Sequence, residues 1–321
     1  MWVNTLERPG RFVHREMAAP VGADLTEGQV IARFLGGAIC GSDLPMFRGR
    51  YEIAGNGPHD GFPLHEVVGE VVETRSALLA RGDRVAGKVP SARGMSEYFI
   101  GSDTDMIAVE SAMSDRDLVV VQSLATVLSA CARAGTVDGR HVAVIGQGPL
   151  GLLWSHVLKS AGAARVTGVD QVDRSDVADA FSVDEVVWAN SADWAASLGG
   201  QDRPSLVVEA VGHQVGTLND AVMAVAPGGL VVGFGVPDDA YYPLAFVELF
   251  RKNASLVGCV TTEWPHFLRL ALAYLEQHPG LADSYITHEF SVADVQKAYD
   301  CAVIPAAGRL KVALLPQGGG R

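Results

Sequence analysis

The sequence predicts an α/β protein with a doubly wound parallel sheet and a second domain built mainly from short strands. The first ~110 residues contain short apolar segments separated by frequent Gly and Pro, which is typical of a barrel-like all-β domain. From Leu118 onward, apolar segments of strand length alternate with segments of helical spacing. This alternation is the pattern of a parallel sheet with helices on both faces.

The strands of the first part are predicted at Gln29–Phe34, Val67–Glu73, Asp83–Gly87 and Glu97–Ile100. The strands of the second part are predicted at Val142–Ile145, Arg165–Asp170, Glu185–Trp188, Leu206–Glu209, Gly229–Gly233 and Ser255–Cys259. Helices are predicted over Leu118–Ala134, Leu152–Ser160, Leu218–Val225, Pro265–Gln277 and Val292–Ala302. A closing strand is predicted at Arg309–Leu315, before a loose tail, Gln317–Arg321.

A glycine motif, Gly146-Gln-Gly148-Pro-Leu-Gly151, lies between a predicted strand and a predicted helix. The first glycine allows a tight turn, the second lets the backbone approach a pyrophosphate, and the third lets the helix pack on the strand. The first amides of a helix carry partial positive charge and bind phosphate groups. We therefore assign the motif, with Pro149 and Leu150, to a dinucleotide cofactor. The alternative is a glycine-rich turn without a ligand.

Asp170 ends the strand that follows, 19 residues after Gly151. A carboxylate at this place accepts hydrogen bonds from the ribose hydroxyls and repels a 2′-phosphate, so the sequence predicts NAD rather than NADP. Arg174 is the nearest base that opposes this assignment.

The composition excludes several classes of function. The net charge is −12, whereas nucleic acids and anionic membrane surfaces are bound by basic patches. No 18 continuous residues are apolar, and the N-terminus lacks the layout of a signal peptide. The four cysteines form no CxxC pair, which predicts a cytoplasmic protein without disulfides.

A second constellation lies in the first domain, at Cys40, His65 and Glu66. A thiolate, an imidazole and a carboxylate are the ligand types that zinc prefers, and a catalytic site needs three of them with one position open. Spacing alone leaves the alternative open, in which Cys40 is a small core residue and His65-Glu66 is a surface pair.

The order of motifs resembles the medium-chain dehydrogenase/reductase family, in particular its zinc-dependent alcohol and polyol dehydrogenases. The resemblance implies a GroES-like catalytic domain over residues 1–122, a Rossmann NAD-binding domain over 123–261 and a return to the catalytic domain over 262–321. It rests on these markers: Cys40-Gly-Ser-Asp43, His65-Glu66 with Gly69, Gly82–Val85, the glycine motif, Glu209–Gly212, Pro227–Gly229, Gly235–Pro237 and Lys252-Asn253.

The resemblance also implies roles for residues of the first domain. Cys40 and His65 match catalytic zinc ligands, and Glu66 matches a carboxylate that binds zinc directly or stands close to it. Asp43 matches the acid that orients the ligand histidine, and Ser42 matches the hydroxyl that hydrogen-bonds the substrate oxygen.

The cofactor contacts that the resemblance implies lie further along the chain. Thr126 matches a residue packed against the nicotinamide, and Val211 and Gly235 fall in cofactor-binding segments. Lys311 matches a basic residue that reaches the cofactor phosphates, with a solvated lysine at a strand end as the alternative.

The departures from the family pattern concern the metal. The next ligand position holds Gln122, which adds no charge to the metal site. Pro45 stands where the proton-relay histidine is expected, and Leu64 replaces a glycine. The chain runs from Gly87 to Met95 without the four-cysteine lobe, so one catalytic zinc and no structural zinc are expected.

The predicted function is a zinc-dependent transfer of hydride between NAD and a secondary alcohol of a polyol, sugar or cyclitol. The expected partners are a small alcohol or ketone and further copies of the chain, in a homodimer or homotetramer. Two roles are open for four apolar or aromatic residues of the chain, which either line the substrate pocket or belong to the core or a loop: Met46, Phe47, Tyr51 and Trp264. The alternatives are a zinc-free NAD(P)H-dependent reductase of the same fold and a non-catalytic NAD-binding sensor or regulator.

Overall fold

The structure, a computed structural model, describes residues 1–50 and 59–316. Tyr51 and the tail Gln317–Arg321 lie outside the described residues. The chain forms two compact units. Unit 1 comprises Met1–Ala125, Glu263–Ile304 and Arg309–Arg321, and unit 2 comprises Thr126–Thr262 and Pro305–Gly308.

The strands are, in chain order, β1 (Trp2–Arg8), β2 (Arg11–Glu16), β3 (Gln29–Ala38), β4 (His59–Asp60), β5 (Glu66–Thr74), β6 (Arg84–Lys88), β7 (Tyr98–Ser102), β8 (Met106–Ala108), β9 (His141–Ile145), β10 (Arg165–Asp170), β11 (Glu185–Trp188), β12 (Leu206–Glu209), β13 (Leu230–Gly233), β14 (Ser255–Gly258), β15 (Ile286–Ser291) and β16 (Lys311–Leu315).

The α-helices are α1 (Asp43–Phe47), α2 (Asp115–Leu118), α3 (Val120–Ala134), α4 (Pro149–Ser160), α5 (Ser191–Ser197), α6 (Gly216–Ala224), α7 (Phe246–Arg251), α8 (Trp264–Gln277), α9 (Leu281–Tyr285) and α10 (Val295–Val303).

Unit 2 contains a six-stranded parallel sheet in the order β11-β10-β9-β12-β13-β14. From β9 the strands that follow in the chain, β10 and β11, are added on one side. From β12 the strands that follow, β13 and β14, are added on the other side. The direction in which strands are added therefore changes between the two central strands. Their side chains are almost wholly buried, because helices cover a parallel sheet on both faces. Ligands of such sheets bind outside the carboxyl ends of the strands, at the point of reversal.

Unit 1 is built around a seven-stranded mixed sheet in the order β15-β16-β3-β5-β6-β8, with β7 paired to β3. A second, three-stranded sheet has the order β2-β1-β4. Strand β3 is long because its inward positions carry apolar side chains such as Val30 and Phe34, which belong to the core cluster of this unit. The predicted fold class, a Rossmann sheet with a GroES-like domain, is confirmed.

One stretch, Asp115–Ala134, is long and apolar enough to cross a membrane by length and composition. In its most apolar window, 67% of the residues are buried inside the protein. It comprises α2 and α3, and its apolar residues belong to the protein core.

Candidate functional site

The candidate metal site forms where β3 and β5 lie side by side in unit 1. Ala38 pairs with Glu66 across the two antiparallel strands, so Cys40, just after β3, comes close to His65, just before β5. One donor atom from each of Cys40, His65 and Glu66 lies within 4.8 Å of the other two. Donor atoms around a tetrahedral zinc are spaced by ~3.5 Å, so the three side chains fit this metal in type and in position.

Asp43 holds two of these residues in place. Its Oδ2 accepts a hydrogen bond from the Cys40 amide at 2.9 Å, and its Oδ1 lies 2.8 Å from His65 Nδ1. Because Nδ1 is engaged, Nε2 is the nitrogen of His65 that a metal would take. Burial lowers the pKa of His65, but the neighbouring Asp43 carboxylate and Cys40 thiolate outweigh it and raise the pKa well above its usual value.

Glu66 is fully buried and has two partners of its own. Lys311 Nζ lies 2.6 Å from Glu66 Oε2, and the Ser123 hydroxyl donates to Glu66 Oε1 at 3.0 Å. Lys311 is itself only 2% exposed. Burial lowers the pKa of Lys311, but the Glu66 carboxylate outweighs it and raises that pKa.

The sequence assigned Lys311 to the cofactor phosphates, with a solvated lysine at a strand end as the alternative. The burial of Lys311 is at odds with the solvated alternative. An ammonium group is taken out of water only when a partner compensates its charge. That partner is the Glu66 carboxylate, and both groups lie in the same unit.

Two buried phenols surround the cluster. The Tyr299 hydroxyl donates to the Pro63 carbonyl, and the ring of Tyr285 is centred 5.9 Å from Lys311 Nζ. Burial raises the pKa of Tyr285 to about 12, so its phenol is neutral at physiological pH. The charged Lys311 ammonium therefore lies beside an uncharged phenol ring.

Three further predicted residues lie on or directly before helices. Ser42 is the half-buried residue that precedes α1, and its side chain makes no capping hydrogen bond. Gln122 is buried on the first turn of α3, next to Ser123. Thr126 is half-buried on the same helix, in the segment that belongs to unit 2.

The glycine turn of unit 2 has the features that its sequence predicts. Gly146 has a φ of +89°, a conformation that disfavours other residues. A Cβ on Gly151 would lie 1.7 Å from the Gly146 carbonyl oxygen, so α4 can approach β9 only with glycine there. A Cβ on Gly148 would meet nothing within 4 Å. The space in front of Gly148, Pro149 and Leu150, which are half-exposed, is therefore open to a ligand.

Asp170 lies at the carboxyl end of β10, beside this turn. Its Oδ2 accepts a hydrogen bond from the Gln147 amide at 2.6 Å, and its Oδ1 accepts one from the Val172 amide at 2.8 Å. The carboxylate is therefore fixed next to the glycine motif. Arg174, four residues on, is buried and donates to the Ala306 carbonyl at 2.9 Å.

Val211 and Gly235 lie in the loops that follow β12 and β13. The buried Glu209 carboxylate accepts hydrogen bonds from the Val211 and Gly212 amides at 3.0 and 2.9 Å. A Cβ on Gly235 would lie 2.2 Å from the Gly212 nitrogen, so the two loops are in close contact. Val211 is 40% exposed at this end of the sheet.

Three residues to which the sequence analysis assigned no role hold predicted site residues in place. The Ser123 hydroxyl donates to Glu66, the Gln147 amide donates to Asp170, and the Glu209 carboxylate accepts from the Val211 amide. A usable signal was present for Glu209, because a carboxylate at the end of an apolar strand needs hydrogen-bond donors when it is buried. Ser123 carried no such signal, since a serine on an apolar helix has many possible partners.

Comparison with known proteins agrees with this architecture. Residues 26–121 match the family described as the alcohol dehydrogenase GroES-like domain. Residues 118–311, more than half of the chain, match the family described as the glucose dehydrogenase C-terminus. The chain belongs to the zinc-type medium-chain dehydrogenase family.

Similar members of this family are named for polyols. The chain is 24% identical to a sorbitol dehydrogenase of Halalkalibacterium halodurans, over 98% of each chain. It is 27% identical to a D-altritol 5-dehydrogenase of Agrobacterium fabrum, over 89% of this chain and 91% of the relative. Among solved structures, the alcohol dehydrogenase TADH of Thermus sp. ATN1 superimposes with a TM-score of 0.83 at 22% identity, covering 99% and 100% of the two chains.

Proposed function

We propose that this dehydrogenase oxidises a secondary alcohol of a polyol, sugar or cyclitol with NAD as hydride acceptor. The convergence of Cys40, His65 and Glu66 within 4.8 Å carries this proposal, because an acyclic or cyclic alcohol is activated for hydride loss by a bound metal. The polyol dehydrogenases among the relatives support the substrate class.

We assign one zinc ion per chain to Cys40, His65 and Glu66, which leaves one position open for the substrate, and Gln122 is a candidate for an additional donor. When bound, zinc polarises the substrate hydroxyl and lowers its pKa. The donor set adds little negative charge, because Lys311 compensates Glu66 and the amide of Gln122 is neutral. The Cys40 thiolate then contributes the one uncompensated negative charge.

The remaining residues hold the donors and move the proton. Asp43 fixes His65 in the orientation that presents Nε2. Ser42 would relay the proton: its hydroxyl oxygen accepts the proton of the substrate hydroxyl while its own proton passes on, and this hydroxyl makes no capping hydrogen bond to the helix. Pro45 cannot carry that proton further, so a water next to Glu66 is the next acceptor.

The cofactor assignment rests on unit 2. The pyrophosphate would lie on Gly148, Pro149 and Leu150, and the ribose hydroxyls on Asp170. Arg174 is buried against the Ala306 carbonyl, which supports NAD over NADP because no base is directed toward a 2′-phosphate from that position. Thr126, Val211 and Gly235 are assigned to the nicotinamide half.

We further propose a homodimer or homotetramer in the cytoplasm. Strand β14 is an edge of the parallel sheet, and its Leu256 is partly exposed.

The four cysteines are free thiols, which supports a reducing compartment.

A substrate screen tests the proposal directly. Polyols, sugars, cyclitols and amino alcohols are offered with NAD or NADP, and NADH formation is followed by absorbance with and without added zinc. We expect oxidation of a polyol-type substrate with NAD, at least tenfold better than with NADP. His65→Ala should lose metal and activity while remaining folded, and Cys301→Ser in the same unit serves as the matched control.

Three outcomes would contradict the proposal. Full activity after zinc removal, with reduction of activated C=C bonds, would identify a zinc-free reductase. Tight NADH binding without turnover across the whole panel would identify a non-catalytic sensor. Equal efficiency with NAD and NADP would refute the role of Asp170.

A further inference from the structure

Trp188 is the most exposed of the five tryptophans of the chain, with 69% of its surface accessible. Trp154 and Trp194 are buried, and Trp2 and Trp264 are half-buried. A single exposed aromatic residue is ordinary on a protein surface, so only the position and the orientation of Trp188 can indicate a ligand.

Trp188 lies at the carboxyl end of β11, beside Asp170. The parallel register of β10 and β11 pairs Asp170 directly with Trp188. Paired residues of neighbouring strands point to the same face of a sheet and are separated by ~4.8 Å across the strands. The indole is therefore next to the proposed ribose contact, at the ligand-binding end of the sheet.

The proposed cofactor contacts follow one another along neighbouring strands at this end of the sheet. The glycine turn, which would hold the pyrophosphate, follows β9, and Asp170, which would hold the ribose, ends β10. The next strand outward is β11, with Trp188 at its end. A nucleotide bound in the proposed way, from the end of β9 to the end of β10, would have its base directed toward the end of β11.

The indole is also held in one orientation. Its Nε1 donates a hydrogen bond to the Gln171 carbonyl at 3.0 Å. Gln171 immediately follows Asp170, so the ring is tied to the loop that carries the proposed ribose contact. A ring fixed by its polar edge offers its flat apolar face for stacking at little cost in conformational entropy.

We propose that Trp188 provides the stacking surface for the adenine ring of the cofactor. This inference rests on the proposed binding of NAD, and it adds a contact for the base to the contacts for ribose and phosphate. Trp188 acts here as a binding residue and takes no part in the chemistry of hydride transfer.

Calorimetric titration of the full chain tests the inference with three ligands. NADH and ADP-ribose contain adenine, and nicotinamide mononucleotide does not. Trp188→Leu should bind both adenine ligands about tenfold more weakly, which is within the range of base–aromatic stacking. Trp188→Phe keeps a ring and should lose threefold or less, a modest part of the same effect. Nicotinamide mononucleotide should bind all variants equally, and Leu78→Ala, at an exposed residue of unit 1, should behave like the unchanged protein.

Tryptophan fluorescence of the unchanged protein gives a second measurement that needs no stable variant. ADP-ribose should quench the emission and protect it from acrylamide, and nicotinamide mononucleotide should do neither. In Trp188→Phe the quenching by ADP-ribose should be lost, because Trp154 and Trp194, the other tryptophans of unit 2, are buried and the remaining two belong to unit 1.

The inference and the cofactor proposal fail in different ways. If Asp170→Ala weakens ADP-ribose but Trp188→Leu does not, the indole is no adenine contact, while NAD binding stands. If Trp188→Leu changes only the oligomeric state, the exposed ring belongs to a contact between copies of the chain. If the unchanged protein binds neither NADH nor ADP-ribose, both proposals are refuted.

Discussion

The buried pair formed by Glu66 and Lys311 determines the charge of the candidate metal site. Both side chains are almost wholly excluded from solvent and lie 2.6 Å apart. Such a pair is not a large net source of stability, because both groups lose their hydration. Removing one partner is much more costly than removing both, since a single buried charge is left without compensation.

Lys311→Met should therefore lower the free energy of unfolding of the zinc-free protein by about 3 kcal/mol. The double variant Glu66→Gln/Lys311→Met should recover most of that loss, because neither charge remains. Denaturant unfolding of the three proteins gives both values. Equal losses in the single and double variants would show that packing, and not charge, explains the effect.

Gln122→Glu should increase the affinity for zinc, because a carboxylate adds negative charge to the donor set. The same charge makes the metal a weaker acid, so the pH–rate profile of alcohol oxidation should move to higher pH. Zinc affinity is measured by competition with a chelator. If neither this variant nor Gln122→Leu changes zinc affinity or the profile, Gln122 does not belong to the site.

At the scale of single residues, the sequence predicts the types of donor better than their partners. Cys40, His65 and Glu66 could be named because zinc accepts few ligand types. The ion pair of Glu66 with Lys311 could not be predicted, because the two residues are far apart in the sequence although they are in contact in the fold. A lone lysine within the apolar segment Leu310–Leu315 indicates that a buried partner exists but not which carboxylate it is.

The strand–turn–helix element of unit 2 allows two matched glycine substitutions. Gly151→Ala should destabilise unit 2 and abolish nucleotide binding, because its Cβ would lie 1.7 Å from the Gly146 carbonyl oxygen. Gly148→Ala should remain as stable as the unchanged protein, since no atom lies within 4 Å of its Cβ, and should lose affinity only for the pyrophosphate. Thermal melting and ADP-ribose titration separate the two effects, and equal melting temperatures for both variants would contradict the close approach of α4.

Helix α4 is connected to the sheet by an ion pair that makes stability depend on pH. Both oxygens of Asp184 lie 2.8 Å from Lys159 Nζ, and Oδ2 also accepts from the Val166 amide at 2.7 Å. Partial burial raises the pKa of Asp184, but these hydrogen bonds outweigh it and lower the pKa below its usual value of 3.8. The folded state therefore binds a proton less readily than the unfolded state, so this contribution is present above 3.8 and is lost as the pH falls through the lowered value.

Asp184→Asn should accordingly lower the melting temperature at neutral pH. The difference from the unchanged protein should shrink as the pH falls below about 3.8, where the aspartate is protonated in the unfolded chain. Asp179→Asn, at an exposed carboxylate of the same unit, is the matched control. A difference that stays constant over the whole range would show that the ion pair does not cause it.

At the scale of elements, the sequence predicts the parallel sheet closely. The bounds of β10, β11 and β12 agree residue for residue with the apolar segments, because buried strands of a parallel sheet are continuous apolar runs between turn residues. The hairpin of β1 and β2 was not predicted, since half of the residues in its outer strand, Arg11–Glu16, are charged. Strand β15 was missed for a similar reason, because its polar residues interrupt the alternation.

At the scale of the whole molecule, the exposed edge of the parallel sheet bears on assembly. Apolar side chains on α7 and around β14 are largely exposed, and they include Phe246, Phe250 and Val260 at 62, 72 and 78%. Unpaired backbone groups at an edge strand bond to another strand when one is offered. A twofold contact between two such edges would cover both sets of residues.

Phe250→Asp should therefore reduce the oligomer to monomers or weaken it strongly, which light scattering after gel filtration detects. Leu78→Asp, at a residue of unit 1 that is 71% exposed, should leave the mass unchanged. A monomeric unchanged protein would contradict the proposed homodimer or homotetramer.

The pairing of Lys311 with Glu66 has a consequence for the biosynthesis of the protein. The two residues are 245 positions apart, from 66 to 311 of 321. The ribosome adds about 5–20 residues per second, so Glu66 waits at least ~12 seconds for its counter-charge. Until β16 has been synthesised and has paired with β3, the Glu66 carboxylate lacks the cation that it contacts in the folded protein. A chain that ends before Lys311 could therefore bury Glu66 in its native place only without a counter-charge, which is the costly half of a broken buried pair.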